Sequence, residues 1–192
     1  MRIISGIARG RRLFTPAGGT RAIRPTADRA REAVFNIISS AIVGSHVADL
    51  FAGTGAFGCE ALSRGAASVL FVDNSSQALT LVAKNVALIA DGPQRSALRR
   101  ADLSKGLGVM TTTGDPHRRY DLVFADPPYG KNLARTILHL LDRPDVFSAT
   151  ALLIIEERKD FSPPDSLHHL IRIDSRRYGD SMFIFYRPTP PI

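Results

Sequence analysis

Residues 125–130 read ADPPYG and follow the apolar run LVFA. Proline has no N–H to give a sheet ladder, so a strand running into it must stop. Asp126 precedes Pro127, which pushes its backbone towards an extended shape. The product is a stiff polar loop at a strand end, holding one carboxylate (Asp126), two prolines (Pro127 and Pro128) and one aromatic ring (Tyr129). A second stretch able to do chemistry is VADLFAGTGAFGCEAL at 47–62. Gly53, Gly55 and Gly58 fit G-x-G-x-x-G between a predicted strand and a predicted helix, where glycines let backbone turn tightly and approach a ligand. Asp73 closes the next apolar run, LFVD, 20 residues after Gly53. An acid there can accept hydrogen bonds from ribose hydroxyls. Together these features point to an adenosine-containing cofactor. A turn that only packs helix on strand is the competing reading.

The glycine pattern alone does not separate a dinucleotide from S-adenosylmethionine. Asp49 bears on the choice. It stands just before the loop, where a carboxylate can take the ammonium of a methionine moiety and would repel a pyrophosphate. Asp102 follows a third strand, ALRRAD. In a parallel sheet, ligands sit outside the carboxyl ends of the strands, so Asp49, Gly53, Asp73, Asp102 and Asp126 are expected to line one crevice. Each aspartate taken singly also reads as a loop or helix cap.

These residues need elements to hold them. From residue 46 onward strands and helices alternate. Strands are predicted near 47–51, 69–72, 97–101, 121–125 and 150–155, and helices near 57–64, 75–89 and 131–142. That order implies a mostly parallel sheet covered on both faces. Residues 168–175 and 181–187 read as a hairpin at the sheet edge, joined by RRYGD, giving six or seven strands ending in a reversed one. Before residue 45 the pattern differs. Residues 2–14 suggest a β-hairpin turning near Ala8-Arg9-Gly10, 15–26 form a Gly- and Pro-rich loop, and Thr26 is expected to cap a helix over 27–40. The predicted organisation is a basic extension over 1–45 and an α/β, Rossmann-like domain over 46–192.

The chain has 192 residues, 44% of them hydrophobic, which suits a globular fold with its own core. No apolar run approaches the roughly 20 residues of a membrane span. The start lacks a signal-peptide core, so the protein is read as cytoplasmic. Cys59 is the single cysteine and is expected in the core, which excludes an internal disulfide. The five histidines show no metal-ligand spacing, and no metal is expected. The charge is localised: residues 1–31 hold eight arginines and one acid, while the remaining 17 Lys+Arg and 17 Asp+Glu cancel. Arginine offers a planar fork of donors suited to phosphate, so this arm reads as a nucleic-acid footprint. Arg2, Arg9, Arg11, Arg12, Arg21 and Arg24 are its candidates. Arg29 and Arg31 either reach the pocket or pair with Asp28 or Glu32 on their own helix.

DLFAGTG with ADPPYG resembles the class I S-adenosylmethionine-dependent methyltransferases that modify an exocyclic amino group of a base. RPTADRAREAVFNII, SGIARGRRL, EALSRGA and RRYGDSMFIFY narrow this to a resemblance, over nearly the whole chain, to the RsmD-type small-subunit (16S) ribosomal RNA guanine-N2 methyltransferases. Phe57 departs from that pattern, which often has leucine there. The resemblance implies S-adenosylmethionine held by Asp49, Phe51, Gly53, Gly55, Asp73, Asp102 and Asp126. It also implies catalysis by Asp126, Pro127, Pro128 and Tyr129, and ribosomal RNA, free or assembled into a small subunit, as the partner of a monomer. Asp126 and the Pro127 carbonyl would each accept one N–H of the target amine, leaving its lone pair aimed at the methyl group, while Tyr129 stacks on the base. Rival readings are an adenine-N6 or cytosine-N4 methyltransferase of DNA, a nucleotide-binding oxidoreductase and a non-catalytic RNA-binding module.

Overall fold

The computed structural model describes residues 1–16, 25–111, 119–129 and 132–189. Seven strands form one sheet: β1 (His46–Leu50), β2 (Ser68–Asp73), β3 (Ser96–Arg100), β4 (Tyr120–Ala125), β5 (Phe147–Arg158), β6 (Leu170–Tyr178) and β7 (Ser181–Pro188). Their order across the sheet is β3-β2-β1-β4-β5-β7-β6. The pairs from β3 through β5 are parallel, and β7 runs antiparallel to both β5 and β6. The expected terminal hairpin is present. Its reversed strand β7 slots between β5 and β6, so β6 forms the edge. Helices α1 (Pro25–Ile37), α2 (Ala56–Ser63), α3 (Ser76–Val86), α4 (Gly108–Thr111) and α5 (Leu133–Leu141) connect or flank the strands.

The period-two rule of strands explains the layering. Val47, Val69, Phe71, Leu122, Phe124 and Ile154 point to one face and join a core with residues of α1, α2, α3 and the N-terminal segment. Ala48, Leu50, Leu70, Val123, Ala125 and Ile155 point to the other, where α5 supplies Ala134, Ile137, Leu138 and Leu141. Both faces are dry, as near-continuous apolar strands require.

The structure refines the expectations in detail. The N-terminal hairpin is present but short: one antiparallel bridge, Arg2 to Arg12, in which the Ile3 N–H donates to the Arg11 carbonyl (3.0 Å), the Leu13 N–H to the Met1 carbonyl (3.2 Å) and the Gly10 N–H to the Ile3 carbonyl (2.9 Å). Other backbone groups of the segment are held by α2: the Glu60 carboxylate accepts the N–H of Ile4 (2.7 Å) and Ser5 (3.0 Å), and Ser63 Oγ accepts that of Ala8. Thr26 lies inside α1, which starts at Pro25, a residue preorganised for a first helical turn. The chain also forms short helical turns at Ser39–Ala41 and Leu103–Lys105, and the one-turn α4, which periodicity does not reveal. Arg21, Arg24, Gly130 and most of the loop over 15–26 fall outside the described residues. Among the described residues no helix is long and apolar enough to cross a membrane.

Candidate active site

From β1 the chain proceeds outward to β2 and β3, then returns to β4 on the other side of β1. The crevice beyond β1 and β4 is therefore a topological switch point, where open α/β sheets bind ligands. A cavity of about 330 Å³ lies there, lined among others by Asp49, Phe51, Gly53, Phe57, Asp126 and Glu156. That volume is at the lower end of the roughly 300–1,000 Å³ of small-molecule sites.

Asp49 is buried on β1, and its carboxylate accepts the Gly58 N–H at 2.9 Å, in the first turns of α2. Burial pushes its pKa up to about 7; the Gly58 hydrogen bond opposes this and the nearby Asp73 carboxylate adds to it. A buried acid beside a cavity suits a cationic ligand. Phe51 follows at φ 60°, a conformation that costs a non-glycine residue about 1–3 kcal/mol and recurs at functional sites. Gly55 takes φ 72° as the residue before α2, and a Cβ on Gly58 would stand 2.3 Å from the Phe71 ring. The third glycine of the pattern thus sets how closely α2 approaches β2.

The other predicted positions divide. Asp73 ends β2 and its carboxylate accepts the N–H groups of Gly53 (2.9 Å) and Ser75 (2.8 Å). It shapes the glycine turn and, contrary to the expectation of one shared crevice, is not among the cavity residues. Asp102 is not among the cavity residues. Its carboxylate caps the Leu103–Lys105 turn by accepting from the Ser104 hydroxyl and N–H, contacts that lower its pKa. Gly55 faces Val82 and Phe71, not the cavity.

Asp126 follows β4 and lines the same cavity as Gly53. Its N–H donates to the Leu50 carbonyl at 3.3 Å, which ties the DPPY loop to the end of β1. Pro127 is buried, while Pro128 and Tyr129 are exposed. The Tyr129 hydroxyl lies 3.4 Å from Glu156 Oε1 and 3.3 Å from Ser181 Oγ, two residues that line the cavity, so its ring stands at the rim. Partial burial raises the phenol to about 12 and keeps it protonated. The floor is aromatic: Phe57 stacks on Phe124 with centroids 3.9 Å apart, and Phe35 packs on Phe57 at 4.6 Å. The departure at Phe57 thus completes a ring stack.

Sequence reasoning missed several lining residues. Met1 comes from the N-terminal segment, Glu156 from β5, and Tyr178, Gly179, Asp180 and Ser181 from the hairpin tip. Arg31 does both things weighed for it. It pairs with Asp28 at 3.0 Å, donates to the Arg2 carbonyl at 2.9 Å and lines the cavity. Arg2, Arg9, Arg11 and Arg12 are exposed on the same segment that brings Met1 to the cavity. Cys59 is buried, and burial holds its thiol high and neutral. Among the described residues no group of three or more His, Cys, Asp or Glu side chains is gathered to hold a metal ion.

The family model "Conserved hypothetical protein 95" matches residues 1–187. Ribosomal RNA small subunit methyltransferase D of Escherichia coli (strain K12) is 34% identical over 85% of this chain and 78% of that protein. Its namesake from Haemophilus influenzae is 35% identical over 83% and 80%. Among solved structures, the E. coli protein yhhF superposes with a TM-score of 0.78 at 28% identity, covering 98% of this chain and 97% of that one. HI0767 of H. influenzae gives 0.76 at 26% identity, with 98% of each chain covered. The chain therefore has the class I methyltransferase fold and belongs to the RsmD family of ribosomal RNA small subunit methyltransferases.

Proposed function

We propose that this protein transfers a methyl group from S-adenosylmethionine to the exocyclic N2 of a guanine in small-subunit ribosomal RNA. The observation that carries the reading is that Asp49, the Gly53 turn and Asp126 converge on one cavity at the switch point of the sheet. The relatives' names support ribosomal RNA methylation. The choice of guanine N2 is our own step: the DPPY loop suits an exocyclic amine of a base, and the resemblance carried by RPTADRAREAVFNII, SGIARGRRL, EALSRGA and RRYGDSMFIFY narrows it to guanine N2.

The residues present fit the cofactor. Asp49 takes the ammonium of its methionine end, Asp73 accepts from ribose hydroxyls, and Phe51 packs beside the adenosine. When bound, S-adenosylmethionine supplies a methyl group on a cationic sulfur, which departs as a neutral thioether. The chain's own work is positioning. The lone pair of an exocyclic amine is delocalised into its ring, and Asp126 and the Pro127 carbonyl counter this by each accepting one N–H. The nitrogen becomes more tetrahedral and its lone pair points at the methyl group. Proline suits the position because it brings a carbonyl and no competing N–H. After transfer the nitrogen carries a proton that passes to the Asp126 carboxylate or to water. Alignment of this kind contributes about 7–11 kcal/mol to rate in favourable cases. Tyr129 stacks on the extruded base, worth roughly 1–3 kcal/mol, and the exposed arginines of the arm hold flanking phosphates.

The test compares ligands and substrates in parallel. Calorimetric titration should give binding of S-adenosylmethionine and none of NADH. Methyl transfer should occur to small ribosomal subunits or their RNA and not to duplex DNA. Preference for NADH, or transfer to DNA alone, overturns the proposal.

A further inference from the structure

Strands β4 and β5 are parallel neighbours in register, with Ala125 opposite Ile155. Asp126 and Glu156 each come one residue later, so their backbones are about one strand spacing apart, roughly 4.8 Å. Both line the cavity. Nothing in the DPPY mechanism uses Glu156. Its burial is partial, and its Oε1 lies 3.4 Å from the Tyr129 hydroxyl. An acid has been set beside the amine-binding loop, on the strand next to it.

A guanine whose N2 sits in the DPPY corner carries its N1–H beside that amine. We propose that Glu156 reads this N1–H and so restricts the site to guanine among bases that bear a 2-amino group. The inference rests on the N2 reading above and extends it to specificity. A carboxylate accepts hydrogen bonds and donates none. It welcomes the guanine N1–H and repels the N1 lone pair of an adenine-type ring. Charge-assisted hydrogen bonds of this sort are the strong ones, and sites built around a buried polar partner reject mismatched analogues sharply. The Arg31 charge favours the ionised form of Glu156; Arg31 needs no contact with it to do so. It lines the same cavity, is buried on α1, and is held by Asp28 and the Arg2 carbonyl. Burial pushes the Glu156 pKa up, and contacts from Ser181, Tyr129 and the Arg31 charge work against that rise.

The discriminating probe is 2,6-diaminopurine riboside, which keeps the 2-amino group but has an N1 lone pair in place of N1–H. The methylated position is first located by mass mapping. Ribosomal RNA is then assembled by ligation with guanosine or 2,6-diaminopurine riboside at that position, and kcat/KM is measured for each. The wild type should prefer guanosine by at least about a hundredfold. Glu156→Gln, whose amide can donate to N1, should bring that ratio below about tenfold, and Glu156→Asp should restore most of the preference. Tyr129→Phe removes the hydroxyl contact and should leave the ratio unchanged. If Glu156→Gln lowers both activities equally, or if Tyr129→Phe reproduces its ratio, Glu156 acts only by holding Tyr129 and the inference falls. If the wild type makes no N2-methylguanosine at all, the N2 reading falls first and takes this one with it. Cofactor affinity, measured on each variant, reports whether the protein has folded.

Discussion

A side chain without an acceptor cannot replace Asp126 if that carboxylate holds one N–H of the target amine. Asp126→Ala is expected to lower kcat about a thousandfold, near 4 kcal/mol of barrier, while S-adenosylmethionine affinity stays within a few-fold by calorimetry. Asp49 gives a prediction with a sign. Its pKa is raised to about 7 in the folded, empty protein, above that of an ordinary carboxyl. Folding therefore favours the protonated form, and this group's contribution to stability declines as pH rises from about 4 to about 7. A cationic ligand reverses the preference. The dissociation constant of S-adenosylmethionine should fall as pH rises towards 7, by up to about tenfold per unit, and level off above it. Asp73 on β2 and Cys59 on α2, the latter held neutral by burial, interact with Asp49, and Arg31, Asp126, Glu156, Tyr178 and Asp180 line the same cavity. Calorimetric titration from about pH 5.5 to 8.5 measures the slope, and Asp49→Asn should flatten it.

Among the elements, the N-terminal segment depends on a few polar clasps. Glu60, fully buried on α2, accepts from Ile4, Ser5 and the Arg64 guanidinium. Asn85 on α3 exchanges hydrogen bonds with the backbone of Phe14 and donates to the Thr54 carbonyl. Gly6 has φ 83°, and a Cβ there would lie 1.8 Å from the Ser63 carbonyl oxygen. Gly6→Ala should cost about 1–3 kcal/mol, as overpacking does, and raise hydrogen exchange over residues 3–13, with thermal unfolding as the second measure. How much of this was legible followed sequence distance. The glycine turn between β1 and α2 and the stop of β4 before the DPPY loop were readable because strand, turn and cap chemistry are local. So was the α/β alternation. The clasps were not, because Glu60 and Asn85 meet partners 55 to 71 residues away. Nor was the place of Glu156 in the cavity, which only the pairing of β5 beside β4 brings about. Asp102 shows the opposite limit: its place after β3 suggested the crevice, but the local turn with Ser104 takes its carboxylate.

At the scale of the whole molecule, charge and cavity lie together. The exposed Arg2, Arg9, Arg11 and Arg12 sit on the segment whose first residue lines the site, so RNA held there would deliver a nucleotide to the crevice. Replacing Arg9, Arg11 and Arg12 with Ala should weaken RNA binding. It should also reduce the slope of log K against log salt by about 0.7 to 0.9 for each phosphate the arm no longer neutralises, with cofactor affinity unchanged. The most direct test of the central claim follows the methyl group itself. Small ribosomal subunits from cells lacking the protein are incubated with methyl-labelled S-adenosylmethionine and either the wild type or Asp126→Ala, and the RNA is digested to nucleosides. Label is expected in N2-methylguanosine alone with the wild type and almost nowhere with the variant. Label in any other nucleoside, or equal labelling by the two proteins, would contradict the assignment.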